Sequence, residues 1–197
     1  MTPCNRDAQR SAKAPTMFLG YNTNGFAHHR LGDAVETLAE LGYRGVALTP
    51  DVNHLDPHAL DLSTRVREFG DALRRHNLRC AVETGARFVL DPRRKHQPTL
   101  ISGSSEGREK RHWFLWSSVH VAKELGADCV SFWSGAPDDG AAPSELMRRL
   151  VEECKRLAEI AAQRGVRLAF EPEPGMFIDT MVKFAELHAR VNHPAFG

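Results

Sequence analysis

Long apolar runs are missing from this sequence. No stretch of about 18 apolar residues occurs along its 197 positions. The first sixteen, MTPCNRDAQRSAKAPT, carry charge but lack the apolar segment of a secretory leader. Neither a membrane span nor an export signal is expected, and a cytoplasmic location is. Cysteine is sparse: Cys4, Cys80, Cys129 and Cys154 form no C-x-x-C pair, which argues against a zinc knuckle or a redox motif. They read as reduced thiols, with Cys80 and Cys129 inside apolar runs where a thiol behaves as a small hydrophobe. An excess of charge of either sign is also lacking, since 26 Lys and Arg face 25 Asp and Glu. Whole-chain charge therefore gives no reason to expect a nucleic acid or an acidic membrane as partner.

What is present is an ordinary globular composition, 42% hydrophobic and 26% charged, in a chain long enough for one good core. After a polar leader over residues 1–16, expected to be disordered, residues 17–197 repeat one pattern: a short apolar run, a loop, an amphipathic stretch and a turn. The runs are Met17 to Asn22, Gly45 to Thr49, Arg79 to Thr84, Cys129 to Trp133 and Val166 to Glu171. They are nearly continuous in apolar character, as in strands covered on both faces. Helices are expected over Leu31 to Leu41, Leu62 to His76, Glu109 to Leu125 and Ser144 to Gln163. The first, third and fourth stop at Gly42, Gly126 and Gly165. A fifth, Asp179 to Val191, starts at an Asp cap and ends before His193-Pro194.

Strand and helix alternating at this spacing demand right-handed crossovers and a parallel sheet. The turn after the first strand, Thr23-Asn24-Gly25-Phe26-Ala27-His28-His29, lacks the G-x-G-x-x-G cradle, and no G-x-x-x-x-G-K-[ST] occurs. That favours the α/β architecture of a (β/α) TIM-barrel over a doubly wound sheet. Only five units are spelled, so the expected fold is a partial barrel of five parallel strands in order 1-2-3-4-5, with strands one and five as open edges prone to self-association.

Chemistry in such barrels sits where the strands end. Glu171 closes an apolar strand, and Pro172-Glu173-Pro174-Gly175 stiffens the chain after it. A carboxylate so placed suits a hard divalent ion and can exchange a proton with a substrate carbon; capping a helix or pairing with an Arg are the bland alternatives. Glu83 ends its strand in the same way and is either a second inward carboxylate or a partner of Arg87. Asn22, His54 and Glu173 are further strand-end and loop residues that can bind substrate. His28-His29 match no strong ligand spacing. Arg93 and Arg94, in the basic loop Asp91 to Pro98, either clamp an anionic substrate or form a solvated run. Trp133 either walls a sugar-sized pocket or belongs to the core, and Trp113, Phe114 and Trp116 are read as helix packing.

The phrases LGYNTNGF, AELGYRGVALTPDVNHLDP, KELGADCVSFWSG and GVRLAFEPEPG, in that order, resemble the xylose isomerase-like TIM-barrel superfamily of sugar isomerases and epimerases, which shares its fold with endonuclease IV. The resemblance implies one divalent metal, Mn²⁺ or Mg²⁺ first and Zn²⁺ or Co²⁺ as alternatives, held by a Glu at the end of strand five. That position is Glu171, as ligand and proton carrier. The family's other ligands, an Asp, a His and a Glu on strands six to eight, would lie past Gly197, so weak metal binding is expected and the chain is read as an N-terminal fragment. The second carboxylate that ketose 3-epimerases carry six positions after the first is here Phe177. The expected function is a metal-dependent sugar or polyol isomerase or epimerase, moving a proton next to a carbonyl of a sugar or sugar-acid substrate. The alternatives are a non-catalytic, small-molecule-binding half-barrel and, less favoured for want of strand-end histidines, a metal-dependent DNA repair enzyme.

Overall fold

Residues 17–197 are described by the structure, a computed structural model, and the leader over residues 1–16, with Cys4, lies outside them. Five strands run through the chain: β1 (Gly20–Asn22), β2 (Gly45–Leu48), β3 (Arg79–Glu83), β4 (Val130–Phe132) and β5 (Leu168–Phe170). They form one parallel sheet in order β1-β2-β3-β4-β5. The helices α1 (Leu31–Glu40), α2 (Leu62–Arg75), α3 (Ser105–Leu125), α4 (Pro143–Arg164) and α5 (Met181–Val191) alternate with them, which makes a partial TIM barrel of five βα units. A short 3-10 turn, Thr23–Phe26, follows β1 and is capped by the Asn22 side chain.

The strands are not apolar on both faces, as their composition suggested. Val46, Leu48, Val82, Val130, Phe132, Leu168 and Phe170 are buried in one core cluster with the helix residues Val35, Leu38, Phe69, Phe114, Leu150 and Leu157. The alternate positions Ala47, Ala81, Ser131 and Ala169 stay half-buried on the inward side. Period two is the reason: a strand has two faces, and only one of them packs on helices. Small residues on the inward face read as apolar in sequence yet bury little area there. The strands are also shorter than the apolar runs, because pairing stops before the chain ceases to be apolar.

Helix ends follow local chemistry. Gly126 and Gly165 take left-handed backbone, φ 62° and 67°, and close α3 and α4 as their sequence positions predict. α3 begins four residues before the expected Glu109, because Ser104 Oγ accepts the Gly107 N–H at 3.0 Å. Its first turn is polar and carries no apolar stripe, so a periodicity reading misses it. α4 takes Pro143 into its first turn, one residue before the expected Ser144. The cap of α5 is Thr180, not Asp179: Thr180 Oγ1 accepts the Lys183 N–H at 3.3 Å, while Asp179 pairs with Lys183 Nζ at 2.8 Å.

The edge beyond β5, expected to be open, is occupied. Leu168 N–H donates to Ala195 O at 2.8 Å, Gly197 N–H to Leu168 O at 3.1 Å, and Phe170 N–H to Gly197 O at 2.6 Å, so Ala195 to Gly197 lie alongside β5 in parallel. Phe196 anchors this segment. It is 3% exposed and sits among the rings of Phe132, Phe170, Phe184 and His188. Among the described residues β1 pairs with β2 alone, and that edge stays free.

Candidate active site

Register brings the inward side chains at the strand ends together. Asn22 pairs with Ala47, Glu83 with Ser131, and Ser131 with Ala169, so Asn22, Thr49, Glu83, Ser131 and Glu171 follow one inward row or its continuation. Thr49 binds this row. Its Oγ1 stands 2.9 Å from Asn22 Oδ1 and 2.7 Å from Glu83 Oε2. A hydroxyl has one proton and Asn22 Oδ1 already accepts from Asn24 N–H, so Thr49 serves one acceptor at a time. Glu83 thus keeps a hydroxyl partner, and it forms no ion pair with Arg87 among the described residues.

Glu171 projects from the end of β5, held by its N–H on Phe132 O at 2.8 Å. The segment after it is pinned to the loop following β4, since Phe177 N–H donates to Gly135 O at 3.0 Å and Ile178 N–H to Ser134 Oγ at 3.0 Å. Desolvation raises the Glu171 pKa first, the charges of Glu173 and Glu83 raise it further, and a 3.4 Å hydrogen bond from Ser131 Oγ works against them. The charges of two neighbouring carboxylates therefore bear on Glu171 at this end of the sheet and favour its protonated form.

Trp133 is a core residue by burial, at 4% exposure, with its ring edge-on to His96 at 5.5 Å. His54 is buried as well, with Nε2 3.0 Å from His29 O, and ties the loop after β2 to the loop after β1. Arg93 and Arg94 are exposed, and Arg94 Nε is committed to Asp91 Oδ2 at 2.8 Å. The structure thus gathers Asn22, Glu83, Glu171 and Glu173, and leaves His54, Arg93 and Arg94 in surrounding loops. Gly135 (φ 81°) lets the loop after β4 approach the loop after β3, for a Cβ there would come within 2.3 Å of Thr99.

Three participants escaped sequence reasoning. Thr49 and Ser131 carry no signal beyond their strand positions. Arg111 does carry one: it shares a stripe on α3 with Phe114, Leu115, Ser118 and Ala122, all buried, so a charged residue stands where helical spacing puts the core. By contrast, Trp113 and Trp116 are 37% and 40% exposed and do not pack inward as expected, although Phe114 does. Trp113 stacks on His58, and Trp116 lies against His120.

The carboxylate oxygens suit a hard divalent cation in kind, but no group of three His, Cys, Asp or Glu side chains able to hold one gathers among the described residues. Glu171, with the charges of Glu83 and Glu173 acting on it, offers such oxygens at this end of the sheet. Likewise, no helix among the described residues is long and apolar enough to cross a membrane.

A family model described as xylose isomerase-like TIM barrel matches residues 35–197. No curated protein matches the chain. Among solved structures, the D-allulose 3-epimerase from Methylomonas sp. in complex with D-allulose is similar with a TM-score of 0.69 and 19% identity, over 91% of this chain and 60% of that one. The 3-keto-D-glucoside 4-epimerase from E. coli matches with a TM-score of 0.74 and 12% identity, over 92% and 66%. The IOLI protein with a bound zinc atom matches with a TM-score of 0.70 and 18% identity, over 92% and 61%. The chain spans 60 to 66% of the length of these three proteins, and at such identities they show a shared fold.

Proposed function

This chain belongs to the xylose isomerase-like TIM barrel family, and from that premise we propose that it carries the first five βα units of a sugar or polyol isomerase or epimerase that moves a proton on the carbon next to a carbonyl. The observation that carries the reading is Glu171, a strand-end carboxyl whose pKa is raised by partial burial and by the neighbouring charges of Glu173 and Glu83. A carboxyl whose hold on its proton is strengthened in this way is suited to take and return one, as epimerisation requires. A bound divalent ion, Mn²⁺ or Mg²⁺ by oxygen chemistry, would supply polarisation of the substrate carbonyl.

The residues of the chain divide the remaining work. Glu171 holds the transferred proton. Ser131 Oγ, 3.4 Å away, steadies its ionised form. Glu83 and Asn22, joined through Thr49, offer acceptors to substrate hydroxyls from the opposite side of the row. Glu173 adds to the negative field that favours protonation of Glu171. Arg93 and Arg94 are the groups proposed to meet an anionic end of a sugar acid, and Arg94 would exchange Asp91 for it.

Exchange in heavy water tests the reading. The chain is incubated with Mn²⁺ and a panel of ketoses and keto-acids, and deuterium at the carbon beside the carbonyl is followed by mass spectrometry. Incorporation that disappears in Glu171→Gln is expected. Absence of incorporation from every panel member overturns the proton-transfer reading, and undiminished incorporation in Glu171→Gln moves the role to Glu173 or Glu83.

A further inference from the structure

Arg111 is a fully buried arginine with no carboxylate on its fork. Its side chain has no solvent exposure, and its Nη2 donates to Thr84 O at 2.8 Å. Its Nε and Nη1 are buried without an acceptor among the described residues. Its guanidinium carbon lies 4.5 Å from the centre of the Trp133 ring and 5.5 Å from that of Phe114. Burial pushes its pKa down to about 10, and the charge of Glu83 acts in the other direction.

Stability alone does not account for such a group. Burying a cation costs several kcal/mol, and a methionine of similar length would fill the space between two aromatic rings without that cost. What the arginine adds is geometry and charge at the site. Its hydrogen bond ends on Thr84, the residue after Glu83, and its guanidinium lies over the ring of Trp133 at the end of the neighbouring strand. Thr84 Oγ1 in turn donates to Ser131 O at 2.8 Å, so one side chain from α3 braces the ends of β3 and β4 together.

We infer that Arg111 is a positioning residue: it fixes Trp133 and the end of β3 by stacking and hydrogen bonding, and its charge, anchored on the carbonyl of Thr84 next to Glu83, is coupled to that carboxylate without an ion pair. This goes beyond the proposed reaction, though it concerns the same site. Its test needs neither metal nor substrate, so either reading can fail without the other.

The test is a double-mutant cycle of Arg111→Met and Glu83→Gln in the full chain, with urea unfolding as the readout. Each single substitution strands the other charge, and the double variant strands none. Its folding constant is expected to exceed the value predicted from the two singles by about tenfold, or about 1.4 kcal/mol. Additive effects overturn the charge partnership, since mere space-filling couples nothing to the Glu83 charge. A second measurement uses Trp113→Phe and Trp116→Phe together, which leaves Trp133 as the single indole. In that background Arg111→Lys, which keeps the charge and loses the flat fork, is expected to fold and to weaken the near-UV circular dichroism band of Trp133. An unchanged band overturns the positioning of Trp133, and this arm decides that part even where Arg111→Met does not fold.

Discussion

The Thr49 hydroxyl lies 2.7 Å from Glu83 Oε2, joining the end of β2 to the carboxylate that closes β3. Thr49 is 1% exposed, and its N–H donates to Thr23 Oγ1 at 3.0 Å, so this one residue links three successive units at the C-terminal ends of their strands. Thr49→Val keeps the shape and removes the hydroxyl. A loss of about 1–2 kcal/mol is expected, because hydrogen bonds to charged groups are the stronger kind. Urea midpoints of the two proteins check it, and equal midpoints would show that water replaces the hydroxyl at no cost.

Glu171 makes stability depend on pH with a definite sign. Its folded-state pKa is raised, so the folded chain holds this proton more tightly than the unfolded chain does. The contribution is present below the unfolded value of about 4.3 and is lost as pH rises through the higher folded value. Glu171→Gln should match the wild type in acid and become the more stable protein toward neutrality. Urea midpoints for both from pH 4 to pH 7 measure the divergence, and parallel curves would refute the raised pKa.

Phe196 is what closes the far side of the sheet. Phe196→Ala removes a ring buried among Phe132, Phe170 and Phe184 and should cost about 3–4 kcal/mol. It should also loosen Ala195 to Gly197 from β5 and expose an edge to other copies. Sedimentation is expected to show more self-association than in the wild type. A destabilised variant that stays as monodisperse as its parent would separate the anchoring of the ring from protection of the edge.

A latch joins the long loop after β3 to the loop after β4. Arg149 Nη1 binds Asp139 Oδ2 at 2.8 Å and Ile101 O at 3.1 Å, and Asp138 Oδ1 accepts from Gly103 N–H at 2.8 Å. The Arg149 hydrogen bond holds the Asp139 carboxyl below its ordinary range. Arg149→Ala should speed hydrogen exchange around Ile101 to Gly103 and around Asp139 while leaving the β5 amides protected. Uniform acceleration across the sheet would mean that the residue supports the fold as a whole.

Much of the architecture was legible along the chain. Apolar runs near 20, 46, 81, 131 and 169, each followed by an amphipathic stretch, state a parallel βα series, and right-handed crossovers with neighbouring units leave few orders for it. Gly126 and Gly165 mark helix ends because left-handed backbone suits glycine, a property of one residue at a time. Glu171 was legible for a similar reason: a carboxylate at the end of a strand occupies a known place in a barrel. Only tertiary structure decided what these residues meet. The Thr49–Glu83 hydrogen bond spans 34 positions and Arg111 reaches Thr84 across 27, distances at which no local pattern carries information. The same holds for Ala195 to Gly197, whose pairing with β5 comes from the burial of Phe196 against four other rings and not from any strand-like signal in PAFG. Sequence sets which groups can bond and how each short segment bends; which of them come within 3 Å is settled by packing, because burial acts on surfaces that exist only once the chain has folded.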